Sequence, residues 1–504
     1  MFNRSLHIRA LYLDFNRITR LPDSAFRGTN VHRLYLAANG LADIDERAFH
    51  SLSSTLTLLD LDRNHLNNYP TALDYLKRLR FLYLANNRIS RFSHGNFASF
   101  GLHLEELSLA GNKLGHFPAS VLRNCPKLVH LNLAYNVIES VTSEMFYDWG
   151  GNLEVFILKG NQIRQLPSHL FRHTRKLREL SFSFNPLTSI DDDAFVDVAE
   201  TLETLEFNMI LDDSSRFPTG LLKHLHQLQW LSLEYNGIVS LSQLPLDHLH
   251  KLHYLSLEGN RIAAVNRHSF GGKLRSLRDV RLSHNLIESL PQHTFHNLGN
   301  CQDLQVLELQ RNSIHDVERH ALTDAVSLQI IDLSENHLET IPVGFFAHLK
   351  RLRIVNLSRN KIRVLSKDIF EGTVLETLNV AHNHLKHFPN CLLAISSTLI
   401  NLDVSSNHID HLDAVMLSNT PNLISLNLAH NKLTLLPDNV FSHLNHLISL
   451  DLSYNTIRAN FKELFHEIQH VKELNLANIG LAQWPHLPLP SLIALNLSLN
   501  ALDC

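Results

Sequence analysis

The sequence predicts an α/β solenoid of about 21 short repeats, each giving one strand of a parallel sheet and a mostly irregular or short helical return. Three observations predict it. The pattern LxxLxLxxN recurs at intervals of roughly 23 to 25 residues along the whole chain. Inside each copy, leucines alternate with variable residues, which is the period of a strand. A phenylalanine then returns at one fixed place in most copies, often after Leu-Pro.

Each element follows from that frame. In the strand, Leu34 and Leu36 point inward and Tyr35 outward. Strands stacked at about 4.8 Å give one continuous sheet with an inner edge of roughly 100 Å on the concave side of a horseshoe. After the strand comes an asparagine: Asn16, Asn39, Asn64, Asn87, Asn112, Asn136, Asn161 and so on to Asn500. A buried amide both donates and accepts, so these residues are expected to satisfy backbone groups in their own turn and in the next repeat, as a ladder. Ile210 and Ile479 occupy the slot in two repeats and cannot make those bonds, so local irregularity is expected there. On the convex side, Phe26, Phe49, Phe97, Phe146, Phe171, Phe195, Phe270, Phe295, Phe346, Phe370, Phe441 and Phe465 share one position and form a packing spine.

One repeat buries too little to offset the entropy of ordering it, so the repeats depend on one another and the ends need caps. Residues 1–499 are read as one continuous array. Residues 500–504 are read as the start of a truncated cap, with Cys504 as its first disulfide cysteine; the plainer alternative is a stray cysteine. Cys125, Cys301 and Cys391 are too sparse for a disulfide framework and read as small buried hydrophobes. The opening MFNRSLHIRA is not a signal peptide, which for a secreted type of repeat points to a fragment. Nothing in the chain has the apolar length of a membrane span.

Composition narrows the partners. The chain has 504 residues, 44% of them hydrophobic and 19% charged, with a formal charge of −4. Without a basic block or arginine-rich face, nucleic acid is not expected as a partner. Histidine is unusually abundant, at 34 residues; full protonation would carry the formal charge from −4 to +30. A solvated polar face is the bland reading and a pH-sensitive surface the sharper one.

The repeat length, the LPxxxF element and the cysteine just beyond the last NxL resemble the typical class of extracellular leucine-rich repeats. Within that class the unbroken run of repeats and the stretch LTSIDDDAFVDVAETLETLEFN are similar to the chaoptin-type adhesion arrays of insect photoreceptors. Toll-type receptors share most of these features. The resemblance implies a glycoprotein on the extracellular face of the plasma membrane, held by a lipid anchor, in homophilic adhesion between apposed membranes. The anchor and leader are not readable in this sequence, so membrane attachment rests on the resemblance alone.

Candidate sites are few. Three sequons, at Asn3, Asn356 and Asn496, are glycosylation candidates. Tyr12, Tyr35 and Tyr83 hold the outward strand position in repeats one, two and four, and are read either as a partner-binding stripe or as tyrosines tolerated on a wet sheet. From Glu308 to Asn496 the same position is polar and mildly acidic; sugar on Asn356 and Asn496 would cross this lane and leave a flank or the convex side for contacts. His466-Glu467-Ile468-Gln469-His470 matches the HExxH zinc-protease motif. The frame opposes that reading, because Phe465, Ile468 and Val471 fall where Phe441, Leu444 and Leu447 fall one repeat earlier. Asp191-Asp192-Asp193 reads as a solvated loop rather than a calcium site. No cofactor, resident metal or catalytic group is expected. The function expected is protein binding at a cell surface, by adhesion, possibly to itself, or as the ligand-sensing ectodomain of a Toll-like receptor; an enzyme built on HEIQH is rejected.

Overall fold

The computed structural model describes residues 8–93, 95–211, 217–270, 274–296, 303–395, 397–413, 416–418 and 420–503. Asn3, Cys301 and Cys504 lie outside the described residues. The chain divides into two compact units, Met1–Gly237 with Leu244–Leu252, and Ile238–Gln243 with His253–Cys504.

In each unit, successive repeats supply one three-residue strand to a parallel stack. Among the described residues the first unit contributes ten such strands, from Ala10–Tyr12 to Trp230–Ser232. The second contributes eleven, from Tyr254–Ser256 to Ala494–Asn496. Register is leucine on leucine: Leu11 pairs with Leu34, Leu34 with Leu59 and Leu59 with Leu82. The period of two leaves no other choice, because a one-residue slip would turn every buried leucine to solvent. Leu34, Leu36, Leu59 and Leu61 are fully buried.

The return segments hold little regular structure. Among the described residues, two α-helical turns, Ala119–Leu122 and Phe461–Leu464, several short 3-10 turns and three two-residue ladders are found there, such as Arg20–Leu21 against Asp43–Ile44. Behind them all twelve phenylalanines of the spine are buried. Neighbouring rings lie 5.9 Å apart for Phe26 and Phe49 and 5.2 Å apart for Phe346 and Phe370, both pairs stacked. Cys125 and Cys391 are buried free thiols, each pushed up to about 12 by burial.

The ladder asparagines bond both within their own turn and across to a neighbouring repeat, and Asn64 makes four such bonds, one of them from its Nδ2 to the Asp62 carbonyl at 3.1 Å. The Asn64 Nδ2 donates to the Leu61 carbonyl of its own turn and to the Leu36 carbonyl of the repeat before, both at 3.0 Å. Its Oδ1 accepts the Leu41 N–H, also from the repeat before, at 3.0 Å. Asn39, Asn87, Asn112, Asn136 and Asn161 repeat this arrangement. The inter-repeat bonds therefore run backward along the chain, to the preceding repeat and not to the next as the sequence reading had it. The reason is rotational: the side chain leaves the strand end toward the previous turn, where that turn's N–H and C=O are both exposed to it.

At Ile210 the slot is filled differently. The Leu187 N–H, which an asparagine oxygen would accept, is accepted by the main-chain carbonyl of Ile210 at 2.9 Å. The strands on either side stay in register, Leu180 against Leu205 and Leu205 against Leu231. At Ile479 the following residues close on Asn500, whose Oδ1 accepts the N–H of Ile479, Gly480 and Leu481, each at 3.1 Å.

The residue just before the asparagine slot is left-handed in every repeat, from Phe15 (φ 56°) through Ser406 (φ 53°) to Leu499 (φ 59°). Only Gly111, Gly160 and Gly259 are glycines there. This conformation costs an L-residue about 1–2 kcal/mol. It persists because the slot's N–H donates to the next repeat, as Ser406 does to the Ala429 carbonyl at 2.8 Å.

Candidate interaction surface

The strand face carries the outward residue between each leucine pair. In the first unit, register sets Tyr12 beside Tyr35, Tyr35 beside Asp60 and Asp60 beside Tyr83. Tyr12 and Tyr35 stack almost flat, with ring centroids 4.6 Å apart and planes 8° from parallel. Tyr12 is 67% exposed and Tyr35 half-buried beneath it. Tyr83 does not join them, since Asp60 stands between. Burial and the neighbouring Glu106 carboxylate raise the Tyr83 phenol well above its ordinary range. The structure thus brings together two of the three tyrosines, with an aspartate dividing the pair from the third.

Acidic groups border the pair. The Asp14 carboxylate accepts the Ala37 N–H at 2.8 Å. Asp60 accepts the Asp62 N–H at 2.9 Å, and Asp62 accepts the Ala85 N–H. Burial, and then the adjacent Asp60 charge, push the Asp62 carboxyl up to about 7.

The polar lane of the second unit has a structural role that sequence reading missed. The Asp332, Asn356, Asn379, Asp403, Asn427, Asp451, Asn475 and Asn496 side chains each accept the N–H two residues on, at 2.8–3.1 Å. Each caps the N–H that leaves the strand, as an Asx turn does. The signal was in the sequence: Asp or Asn stands two residues before Ser or Ala at all eight places. Asparagine nitrogens in the lane also donate backward to aspartates, Asn356 to Asp332 at 2.9 Å and Asn475 to Asp451 at 2.8 Å. Of the two described sequons, Asn356 is half-buried with its Nδ2 held by Asp332, and Asn496 is exposed.

A second feature was also missed. Phe184 and Met209 hold the left-handed slot in neighbouring repeats and are about half exposed, at 47% and 48%. With Pro186, Leu187, Ile210 and Leu211 they line a cleft of about 530 Å³.

The HEIQH segment begins beyond the helical turn Phe461–Leu464, in a turn rather than on a helix. His466, Glu467 and His470 are exposed, while Phe465, Ile468 and Val471 are buried as the frame requires. His466 contacts Glu467 at 3.1 Å. In the aspartate run, Asp191 accepts the Asp193 N–H at 3.0 Å, and all three residues are exposed. No helix among the described residues is long and apolar enough to cross a membrane.

A stack of turns that buries its recurring leucines and most of its recurring asparagines and turns its variable residues outward defines a repeat scaffold. The chain belongs to the leucine-rich-repeat family: the pattern described as "Leucine rich repeat" matches residues 7–54, 29–89, 102–149, 151–205, 250–304, 275–338, 302–361, 326–385, 397–457 and 425–478. Curated relatives include leucine-rich repeat-containing protein 3B of Homo sapiens, 41% identical over 69 residues, 13% of this chain and 27% of the relative. Fibromodulin of Oryctolagus cuniculus is 40% identical over 67 residues, 13% of this chain and 44% of the relative. The chain spans less than half the length of these relatives. Among solved structures, a TLR13–ssRNA13 complex matches at 26% identity and a TM-score of 0.67, over 96% of this chain and 69% of that one. The Drosophila Toll–Spatzle complex matches at 22% identity and a TM-score of 0.66, over 95% and 58%. A leucine-rich-repeat protein of Leptospira interrogans matches at 21% and a TM-score of 0.58, over 92% and 95%. One of these neighbours was solved with single-stranded RNA, which runs against the sequence expectation of no nucleic-acid partner.

Proposed function

We propose that this chain is the extracellular, protein-binding part of a cell-surface adhesion protein, and that it binds a second copy of itself. The reading extends the resemblance to chaoptin, the photoreceptor adhesion protein, with attachment to the plasma membrane through a lipid anchor. The observation that carries it is the Tyr12–Tyr35 stack on the strand face, a rigid amphipathic patch of the kind that anchors protein interfaces. Glycans on Asn3, Asn356 and Asn496 and a disulfide at Cys504 belong to the same reading. No catalytic step is assigned to the chain.

The test is an aggregation assay with the protein anchored on non-adhesive cells. Clumping restricted to expressing cells, and reduced in the Tyr12→Ala/Tyr35→Ala variant, is expected. Clumping that also recruits non-expressing cells would replace self-binding with a different partner. The Toll-like neighbour, at 26% identity over 96% of this chain, favours a second reading, a ligand-sensing ectodomain. In that case no clumping occurs, and soluble protein captures a ligand instead.

A further inference from the structure

On the return side of the second unit, three side chains from two neighbouring repeats converge. The His293 Nδ1 lies 3.1 Å from one Asp324 carboxylate oxygen, and the His296 Nδ1 lies 3.2 Å from the other. One ligand atom from each of the three residues falls within 4.8 Å of the other two. Zinc bonds of about 2.0–2.1 Å place tetrahedral ligand atoms roughly 3.3 Å apart, so these separations suit one ion with little movement.

The repeat frame builds this arrangement. His293 stands two residues before the spine residue Phe295, and Asp324 two residues after Leu322, which fills the spine position of the next repeat. The same two slots meet in the first unit, where the His169 Nδ1 lies 3.2 Å from Asp197. In both places a backbone bond ties the turns: the His293 N–H donates to the His320 carbonyl at 3.0 Å, and the His169 N–H to the Asp193 carbonyl at 3.2 Å. The His–Asp pairing is thus a property of the stacked turns. What differs is the residue just after the spine phenylalanine. In the first unit it is Arg172, a cation that pairs with Glu144. In the second it is His296, which adds a second ring nitrogen beside Asp324. His293 is further held by its ring stacking on His320, 6.3 Å between centroids and 10° apart.

We propose that His293, His296 and Asp324 form a binding site for a divalent transition-metal ion of the zinc type. Two imidazoles and one carboxylate are a ligand set that zinc favours, and three protein ligands leave the fourth position to water. The ion would cross-link two adjacent repeats: the proton that each Nδ1 shares with Asp324 leaves to solvent or, by tautomer exchange, the ring keeps its proton on Nε2, and the freed Nδ1 lone pairs and the carboxylate bind the ion instead. The HEIQH segment takes no part in it.

Zinc chloride is titrated into the full chain in competition with a chromogenic chelator, and cobalt(II) binding is followed by its visible absorption. A second histidine group, His387 with Asp410 and His411, lies wholly exposed. The titration therefore uses the His387→Ala/His411→Ala background as well as the parent chain. Expected is one saturable ion in that background, tetrahedral cobalt bands, and at least about a tenfold loss of affinity in both His296→Ala and Asp324→Asn. Asp324→Asn keeps the shape of the side chain, and circular dichroism confirms that each variant is folded. Absence of saturable binding in that background, or unchanged affinity in folded His296→Ala and Asp324→Asn, overturns the proposal.

Discussion

A single asparagine illustrates how much rests on one side chain. Asn64 satisfies three carbonyls, those of Leu36, Leu61 and Asp62, and one N–H at a buried site, whereas among the described residues Asn16 donates to the Leu13 and Asp14 carbonyls at an exposed site. Orphaning a buried backbone group costs about 1–3 kcal/mol. Asn64→Leu is therefore expected to lose about 3 kcal/mol or more in urea titration, and Asn16→Leu less than about 1. An equal loss for both would show that burial does not set the cost. Asp62 makes a pH prediction. Its carboxyl is raised from the ordinary 3.8 to about 7, so the folded chain binds the proton more tightly than the unfolded chain. The associated stability is complete below pH ~4 and is lost as pH rises through about 7. Asp62→Asn should flatten that part of the stability profile and be relatively stabilising at pH 8; a profile identical to the parent's would contradict the assignment.

At the scale of the element, the left-handed turn is the strained part of each repeat. Replacing Ser406, at φ 53°, with glycine should relieve about 0.5–1 kcal/mol, while Ser406→Val should cost about 1–2 kcal/mol. Amide hydrogen exchange in the flanking repeats reads both changes. Equal protection in the two variants would mean the slot is not strained. The slot was partly legible in the sequence. None of the residues from Phe15 to Leu499 that occupy it is valine, isoleucine, threonine or proline, the types least able to adopt positive φ. The Ile210 turn was less legible. Isoleucine excludes a side-chain bond, but only the folded turn brings the Ile210 carbonyl to the Leu187 N–H. The direction of the asparagine bonds was likewise hidden, because spacing along a chain says how far apart two slots are and not which neighbour a rotamer faces.

For the whole molecule, the predictions concern surfaces. When the chain is expressed through a secretory route, glycan mapping is expected to find Asn496 more completely modified than Asn356, whose nitrogen is engaged by Asp332 in the folded lane. Full occupancy at Asn356 with Asn496 bare would reverse the order and remove sugar as a reason to leave the end of the lane free. The tyrosine stripe shows the limit of reading a surface from the frame. The frame assigned Tyr12, Tyr35 and Tyr83 to the outward position of repeats one, two and four, and the register of the folded chain sets Asp60 between Tyr35 and Tyr83. It could not say that two rings lie flat on each other while the third turns to Glu106. The histidine–aspartate cluster was invisible for the same reason: its members are 28 and 31 residues apart, in loops of unequal length.

By itself the sequence determined the architecture of each repeat: one strand, two inward leucines, an amide at the turn and a phenylalanine behind. These follow from a period and from burial, which a linear pattern encodes directly. Only the tertiary structure decided which polar groups meet across adjacent repeats: the backward reach of Asn64, the Asp332–Asn356 bond and the meeting of His293, His296 and Asp324. Those meetings depend on rotamers and loop paths set by packing against the neighbouring turn, and that information exists only once the turns are stacked.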